Sequence, residues 1–190
     1  MVLLRAYLLA GLIAHKVVWE VLKRPGRIPS SRPQPERSRW SRFVKTVKIA
    51  ILIGLIAQTL LPEVLPILRD ATVLRVIGVS VYSAGLALAL IGRVQLGANW
   101  SDIESARVGE NQALVSTGIY RYIRHPIYAG DLLLLFGLQL ALNSWLVLAV
   151  VALSAIVVQR AAREEAMLAD RLAGYDDYSR ATKRFVPFVV

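Results

Sequence analysis

The chain contains no cysteine and only two histidines among its 190 residues. The absence of cysteine excludes disulfide bonds, thiolate metal sites and cysteine nucleophiles. No glycine fingerprint of the form G-x-G-x-x-G joins a strand to a helix, so nothing indicates a Rossmann-type nucleotide site. Acidic residues are also scarce, with 13 against 23 lysines and arginines, which leaves a net charge of +10.

Apolar residues, by contrast, make up 56% of the chain, and its mean hydropathy is +0.52. This composition is typical of an integral membrane protein and too apolar for an ordinary soluble domain. Basic residues beside apolar runs follow the positive-inside rule, and no nucleic-acid recognition motif accompanies them. We therefore expect a multi-pass membrane protein that has no nucleic-acid partner.

The apolar runs predict a single all-α membrane domain, residues 1–190, with about five transmembrane helices, because ~20 apolar residues cross a bilayer. The predicted spans are residues 1–22, 44–61, 73–96, 127–142 and 145–160. The polar segments are a basic loop at 23–43, a connector at 97–126, and a helix and tail at 161–190. Their basic residues place all three in the cytoplasm. We interpret His15, near the cytoplasmic end of span 1, as an interfacial histidine rather than as a pocket residue.

Spans 4 and 5 come from one apolar run, residues 127–158, which is too long for a single upright helix through a ~30 Å core. Asn143 and Ser144 interrupt this run with turn-forming residues, which predicts a helical hairpin. One long tilted helix is the alternative, and it would place the carboxyl terminus outside. The basic tail favours the hairpin, which keeps that terminus in the cytoplasm.

The segment Gly118–Gly130, GIYRYIRHPIYAG, holds two arginines, a histidine and three tyrosines at the edge of an apolar run. Such a density of charge and aromatic rings is costly there unless it faces water, lipid headgroups or a ligand. Pro126 suits the first turn of a helix, because its φ is fixed and it has no N–H to leave unpaired. Arg124 and His125 are therefore expected at the mouth of a helix that enters the membrane.

A second polar segment, Gln159–Leu172, follows the last apolar run. Arg160 and Glu164 are four residues apart in it and therefore share one helical face. Taken alone, this pattern indicates a cytoplasmic helix extension with a salt bridge. Together with the tyrosine-rich connector, it favours a ligand pocket on the cytoplasmic side.

In combination, GIYRYIRHPIYAG, REEAML and GYDDYSRATKRFVP resemble the isoprenylcysteine carboxyl methyltransferase family over residues 75–187. Phospholipid N-methyltransferases share a looser version of the pattern. The resemblance implies S-adenosylmethionine as the cofactor, bound in a membrane-embedded pocket, and methyl transfer without a metal.

The same resemblance implies a role for particular residues. Those implied in cofactor binding are Gln112, Ala113, Leu114, Val115, Tyr120, His125, Pro126, Ile127, Tyr128 and Glu164. Glu164 would bind the polar end of the cofactor, and Arg160 would be catalytic, facing the acceptor. Tyrosine rings suit a sulfonium through cation–π attraction, and the planar guanidinium of an arginine suits a carboxylate.

The resemblance implies a lipophilic acceptor taken from the membrane, usually the carboxylate of a prenylated cysteine. Three alternatives stay open: a phospholipid N-methyltransferase, an NADPH-dependent reductase of sterol-like lipids, and a non-catalytic membrane scaffold. A reductase would need additional basic residues for the nicotinamide phosphates and more spans than this chain has.

Overall fold

The computed structural model describes residues 1–22, 39–61, 63–97 and 114–186. Over these ranges it is all-α, as predicted, with two isolated β-bridges. The helices are α1 (Val2–Val21), α2 (Arg39–Leu60), α3 (Thr72–Leu96), α4 (Pro126–Ala141), α5 (Val147–Arg171) and α6 (Tyr175–Ala181), with a 3-10 turn at Gly118–Arg121. Most of the basic loop, together with Gln112 and Ala113, lies outside the described residues.

Two of the described helices, α1 and α3, are long and apolar enough to cross a membrane. The apolar helix α4 and the apolar part of α2, Ile49–Leu60, are shorter. Large apolar side chains such as Val73, Val76 and Ile77 lie exposed on the outer surface of α3, where lipid would cover them. The count of five spans stays a prediction.

Helices α3 and α4 form the central pair of the fold, because glycines let their backbones approach closely. A Cβ atom on Gly85 would overlap the backbone nitrogen of Leu134, and one on Gly137 would overlap that of Tyr82. Small residues at such positions allow the close packing that drives helix association in a bilayer. This packing fixes the position of α4. It therefore also positions the polar residues immediately before α4.

Asn143 organises the turn between α4 and α5. Its backbone adopts a φ of 55°, a left-handed conformation that asparagine tolerates better than most residues. Its buried side chain accepts hydrogen bonds from the backbone N–H groups of Ile67 and Leu68 at 3.2 and 3.0 Å, and donates to Glu63 at 3.0 Å. Helices α4 and α5 are therefore separate, and residues 63–71 dock against the turn that joins them.

At the other end of the bundle, three helix termini meet. The Arg93 guanidinium, at the end of α3, donates to the carbonyl of Leu22 just after α1 at 2.8 Å. The Tyr120 hydroxyl, in the 3-10 turn before α4, donates to the carbonyl of Gly92 at 3.3 Å. The start of α4 thus lies beside the carboxyl ends of α1 and α3.

Candidate active site

The site begins at the first residues of α4. His125 is the N-cap residue and Pro126 occupies the first helical position, as the sequence predicts for a helix start. The backbone N–H of Ala129 donates to the His125 carbonyl at 3.0 Å and so closes the first turn. The His125 residue is only 7% exposed, so its ring is held within the protein.

The second half of α5 places two adjacent glutamates opposite this helix start. Glu164 accepts a hydrogen bond from the Tyr128 hydroxyl at 3.0 Å, and its Oε2 lies 4.0 Å from His125 Nδ1. The other ring nitrogen of His125, Nε2, lies 3.1 Å from Oε1 of Glu165. The histidine therefore sits between the two carboxylates.

Glu165 is held by two arginines as well as by His125. Arg124 Nε donates to it at 2.8 Å, and Arg184 donates from Nη2 at 2.6 Å. Burial alone would raise the pKa of Glu165, but the hydrogen bonds from His125, Arg184 and Arg124 outweigh burial and hold this pKa well below its usual range. Glu165 is thus an ionised structural anchor.

The chain after α6 returns to pack along the start of α4. The backbone N–H groups of Arg124 and His125 donate to the carbonyls of Lys183 and Arg184 at 2.8 and 3.0 Å. The Phe185 ring lies 5.7 Å from that of His125, between ring centroids. Because Arg124 also donates to backbone carbonyls at the end of α6, the tail closes one side of the site.

Aromatic rings make up much of the remaining surface. The Tyr128 ring stacks on His125 with a centroid distance of 5.4 Å and an interplanar angle of 14°. The Tyr178 hydroxyl donates to the Tyr120 carbonyl at 2.8 Å, and burial raises the pKa of Tyr178 to about 12. Burial also raises the pKa of Tyr120. Both phenols therefore ionise less readily than a free tyrosine, and each donates a hydrogen bond.

Four of the residues implied by the resemblance come together here. His125, Tyr128 and Glu164 are in contact, and the Arg160 guanidinium lies beside the Tyr128 hydroxyl. The structure thus joins the two polar segments, which are far apart in sequence, at one place.

The other implied residues lie at its margins or outside the description. Pro126 and Ile127 pack against Gly92 of α3, and the Tyr120 hydroxyl donates to the carbonyl of the same glycine. Leu114 and Val115 are half-buried. Gln112 and Ala113 fall outside the described residues.

Sequence reasoning gave no site role to Glu165 or Arg184, and it placed Arg124 at the helix mouth without naming a partner. The signal was present in the doublet Glu164–Glu165, which offers two carboxylates on successive sides of one helix. Two cations on separate segments, Arg124 and Arg184, both donate hydrogen bonds to Glu165. The pattern alone could not show which of the two carboxylates would stay available.

Glu164 is the carboxylate with unused capacity. Its side chain is 20% exposed, and its hydrogen bond with a described residue is the one from Tyr128. A carboxylate has about four acceptor positions, so Glu164 can still bind a cation or several hydroxyl donors. With Arg160 nearby, the site offers both signs of charge and stacked aromatic rings to one small molecule.

The sequence model of the phospholipid methyltransferase family matches residues 73–173, which is more than half of the chain. This chain belongs to that family. The match covers α3, α4 and α5, the helices that build the site.

Two individual relatives are also similar to this chain. The chain is 27% identical over 180 residues to protein-S-isoprenylcysteine O-methyltransferase from Schizosaccharomyces pombe, across 84% of this chain and 76% of the relative. It is 34% identical over 106 residues to the cobalt-zinc-cadmium resistance protein CzcN from Cupriavidus metallidurans, across 54% and 46% of the two chains. The resemblance to isoprenylcysteine methyltransferases is thus confirmed, and with it the prediction of a methyltransferase at the level of the family.

The fold is similar to that of a solved eukaryotic intramembrane Ras methyltransferase, isoprenylcysteine carboxyl methyltransferase, with a TM-score of 0.61 at 20% identity. The alignment covers 94% of this chain and 62% of the solved one, so this chain spans about three fifths of that protein. A fold shared with an intramembrane enzyme, together with the apolar helices α1 and α3, supports the prediction of an integral membrane protein.

Proposed function

We propose that this protein transfers a methyl group from S-adenosylmethionine to a lipophilic acceptor held in the membrane. The first candidate acceptor is the carboxylate of an isoprenylcysteine-like molecule. The observation that carries the proposal is the convergence of His125, Tyr128 and Glu164, with Arg160 beside them, at the start of α4.

The residues present fit this cofactor. S-adenosylmethionine carries a sulfonium, an ammonium and a carboxylate, so its site needs both signs of charge and aromatic faces. Glu164 has free acceptor positions for the ammonium or for ribose hydroxyls, and the Tyr128 ring suits the sulfonium. The start of α4 suits a carboxylate, because the first N–H groups of a helix lack internal partners. When bound, the cofactor supplies an electrophilic methyl group for in-line displacement.

The chain would contribute positioning and the exclusion of water. Arg160 would hold the acceptor carboxylate through its planar guanidinium, which binds a carboxylate in a fixed orientation. The tail across His125 and the aromatic rings would keep water out of the site. Fixing two reactants in a productive geometry can supply ~7–11 kcal/mol of a barrier.

The proposed location is the cytoplasmic face of a multi-pass membrane protein. The site lies at the end of the bundle that carries the described basic residues of the connector and tail, which include Arg121, Arg124, Arg180, Lys183 and Arg184. Excess positive charge beside apolar spans marks the cytoplasmic side. The insoluble tail of the acceptor would remain in the bilayer while its polar head reaches Arg160.

The name of the S. pombe relative supports a prenylated cysteine carboxylate as the acceptor, whereas the family description supports a phospholipid amine. Arg160 favours the first, because a cation attracts a carboxylate and repels an ammonium. Phospholipid N-methylation is therefore the second candidate.

The test is methyl transfer by the purified protein in lipid nanodiscs, with S-adenosylmethionine labelled at its methyl group. N-acetyl-S-farnesylcysteine and phosphatidylethanolamine serve as the two acceptors. We expect the label to appear in the prenylated acceptor. Mild base should release it, because a methyl ester is base-labile. Label in the amine lipid alone would favour the second candidate.

Calorimetry supplies the binding control. We expect heat on titration with S-adenosylmethionine and none with NADPH. Heat with NADPH alone would indicate a reductase. If neither ligand gives heat, a non-catalytic membrane scaffold is the remaining interpretation.

A further inference from the structure

Helices α1 and α4 share one polar pair that is not among the site residues described above. His15 Nε2 on α1 lies 2.9 Å from Asp131 Oδ1 on α4. Their side chains are 23% and 38% exposed, and Asp131 is the single acidic residue of α4. Ionisable residues inside an apolar helix are expensive in a bilayer and usually face a partner or a polar pathway.

The pair is held in a defined orientation. The His15 ring stacks on Trp19, one turn further along α1, with a centroid distance of 4.2 Å and an interplanar angle of 21°. The guanidinium of Arg93, which is anchored at the end of α3, lies 5.9 Å from the centre of the Trp19 ring. The imidazole is therefore fixed by an aromatic face on one side and by a carboxylate at Nε2.

Asp131 lies next to the candidate active site. It follows Tyr128 by three positions on α4. Side chains three apart on a helix are neighbours, with Cβ atoms about 5–6 Å apart. The Tyr128 hydroxyl in turn donates to Glu164. Asp131 therefore lies about one turn beyond Tyr128 along α4 and extends the polar side chains of this helix away from its start.

Asp131 also has capacity for a ligand. His15 engages Oδ1, while Oδ2 makes no hydrogen bond with any residue in the described parts of the chain. A carboxylate oxygen accepts hydrogen bonds and cannot donate them, so its partner must carry an N–H or O–H group. Arg160, beside Tyr128, suits a ligand group that accepts hydrogen bonds, because a guanidinium only donates them.

We infer that Asp131, oriented by His15, binds an N–H group in the polar head of the acceptor, next to the carboxylate that Arg160 holds. The inference rests on the proposed function, since it adds a specificity determinant to the same site. Simple fatty acids, which lack the nitrogen, would be poorer acceptors.

The test compares two acceptors that differ only in the nitrogen group. N-acetyl-S-farnesylcysteine carries the amide N–H, and S-farnesyl-3-mercaptopropionic acid has a hydrogen in place of the acetamido group. The value of kcat/KM is measured for both acceptors with the wild-type protein and with Asp131→Ala in nanodiscs. We expect the variant to lose about tenfold to a hundredfold on the amide acceptor and little on the other, because only one of them loses a charge-assisted hydrogen bond.

His15→Leu tests the positioning role and should give a smaller loss with the same selectivity. If the alanine variant does not fold, Asp131→Asn replaces it, because it keeps the side-chain size. Its kcat/KM should also fall more on the amide acceptor than on the other. Asp177→Ala removes an exposed carboxylate on α6 and should leave the ratio of the two kcat/KM values unchanged.

Equal losses on both acceptors, in a variant that still binds S-adenosylmethionine, would show that the pair is only structural and would overturn the inference alone. A wild-type protein that methylates neither acceptor would overturn the proposed function together with the inference.

Discussion

Glu164 and Glu165 are adjacent on α5 and chemically identical, yet the structure gives them opposite roles. Glu165 accepts hydrogen bonds from His125, Arg124 and Arg184, which leaves it little capacity for a ligand. Among the described residues, Glu164 accepts one hydrogen bond, from Tyr128, which leaves several of its acceptor positions unused there. Saturation by neighbouring cations therefore separates a structural carboxylate from the one that we propose binds the cofactor.

Replacement of Glu164 by alanine should weaken the binding of S-adenosylmethionine. A lost hydrogen bond to a charged group costs about 1.5–3 kcal/mol, which corresponds to a rise in Kd of about tenfold to a hundredfold. Calorimetry in detergent measures the change. An unchanged Kd in a folded Glu164→Ala protein would contradict the role assigned to this carboxylate.

Replacement of Arg160 by alanine should lower turnover and leave cofactor binding largely intact, because this side chain is expected to hold the acceptor. Misplacing a reactant by about 1 Å can cost about a hundredfold in rate. Arg160→Lys should restore only part of the rate, since an ammonium cannot reproduce the planar fork. A Kd for the cofactor that rises in parallel with the loss of kcat would argue against this division of roles.

Glu165→Gln should destabilise the protein by about 3–5 kcal/mol at neutral pH, because it removes the charge that compensates two arginines. The folded-state pKa of Glu165 lies below its ordinary value of 4.5, so its contribution to stability is complete above pH 4.5 and is lost as the pH falls towards the folded-state pKa. The difference in Tm between the wild-type and variant proteins should therefore shrink below pH 4.5. A difference that stays constant down to pH 3 would contradict the ionised anchor.

At the scale of the helices, the pair α3–α4 sets the position of the site. Gly78 and Gly85 on α3 and Gly130 and Gly137 on α4 contact the backbone of the opposite helix. In a bilayer there is no hydrophobic force between helices, so this close packing has to supply the attraction. The small-residue pattern of α3 is visible in the sequence, whereas its pairing with α4 is a property of the fold.

Gly137→Ala should destabilise the protein by about 1–3 kcal/mol, since the added methyl group would overlap the backbone of Tyr82 and force the helices apart. Gly54→Ala on α2 is the matched control. Apart from its own helix backbone, no atom of the described residues lies within 4 Å of its Cβ position. Alanine is favoured over glycine in a helix by about 1 kcal/mol. Thermal unfolding in detergent compares the two variants. Equal Tm values for both would show that the close contact contributes little.

At the scale of the whole molecule, the two ends of the bundle differ in composition and in the contacts that they make. Residues 63–71 and the Asn143 turn form one end, where the hydrogen bonds connect loops to each other. The start of α4, the end of α5, and α6 form the other end and hold the candidate active site. The proposed orientation, with the site in the cytoplasm, is based on the basic residues around it.

This orientation can be tested by labelling, because the chain has no native cysteine. Leu68→Cys and Asp177→Cys each introduce one thiol at an exposed position, one at each end of the bundle. In intact cells a membrane-impermeant maleimide should label Leu68→Cys, and it should label Asp177→Cys only after the membrane is opened. Labelling of both from outside would contradict the proposed topology.

Several features of the site followed directly from the sequence. Proline geometry predicts the start of α4 at Pro126, and the helical period places Arg160 and Glu164 on one face. Tyr128 and His125 were implied by a motif whose residues are neighbours along the chain. The combination of motifs predicts that α4 and α5 lie together. The structure shows this contact as a hydrogen bond from Tyr128 to Glu164.

The sequence by itself determined the helical, membrane-embedded character of this protein, because run length, apolar content and proline positions act over a few neighbouring residues. Only the tertiary structure decided which glutamate is saturated and which is available, and that His15 faces Asp131. Those contacts join residues as far as 116 positions apart, where periodicity carries no information. The packing of α3 against α4 brings such residues together, and it depends on the whole chain at once.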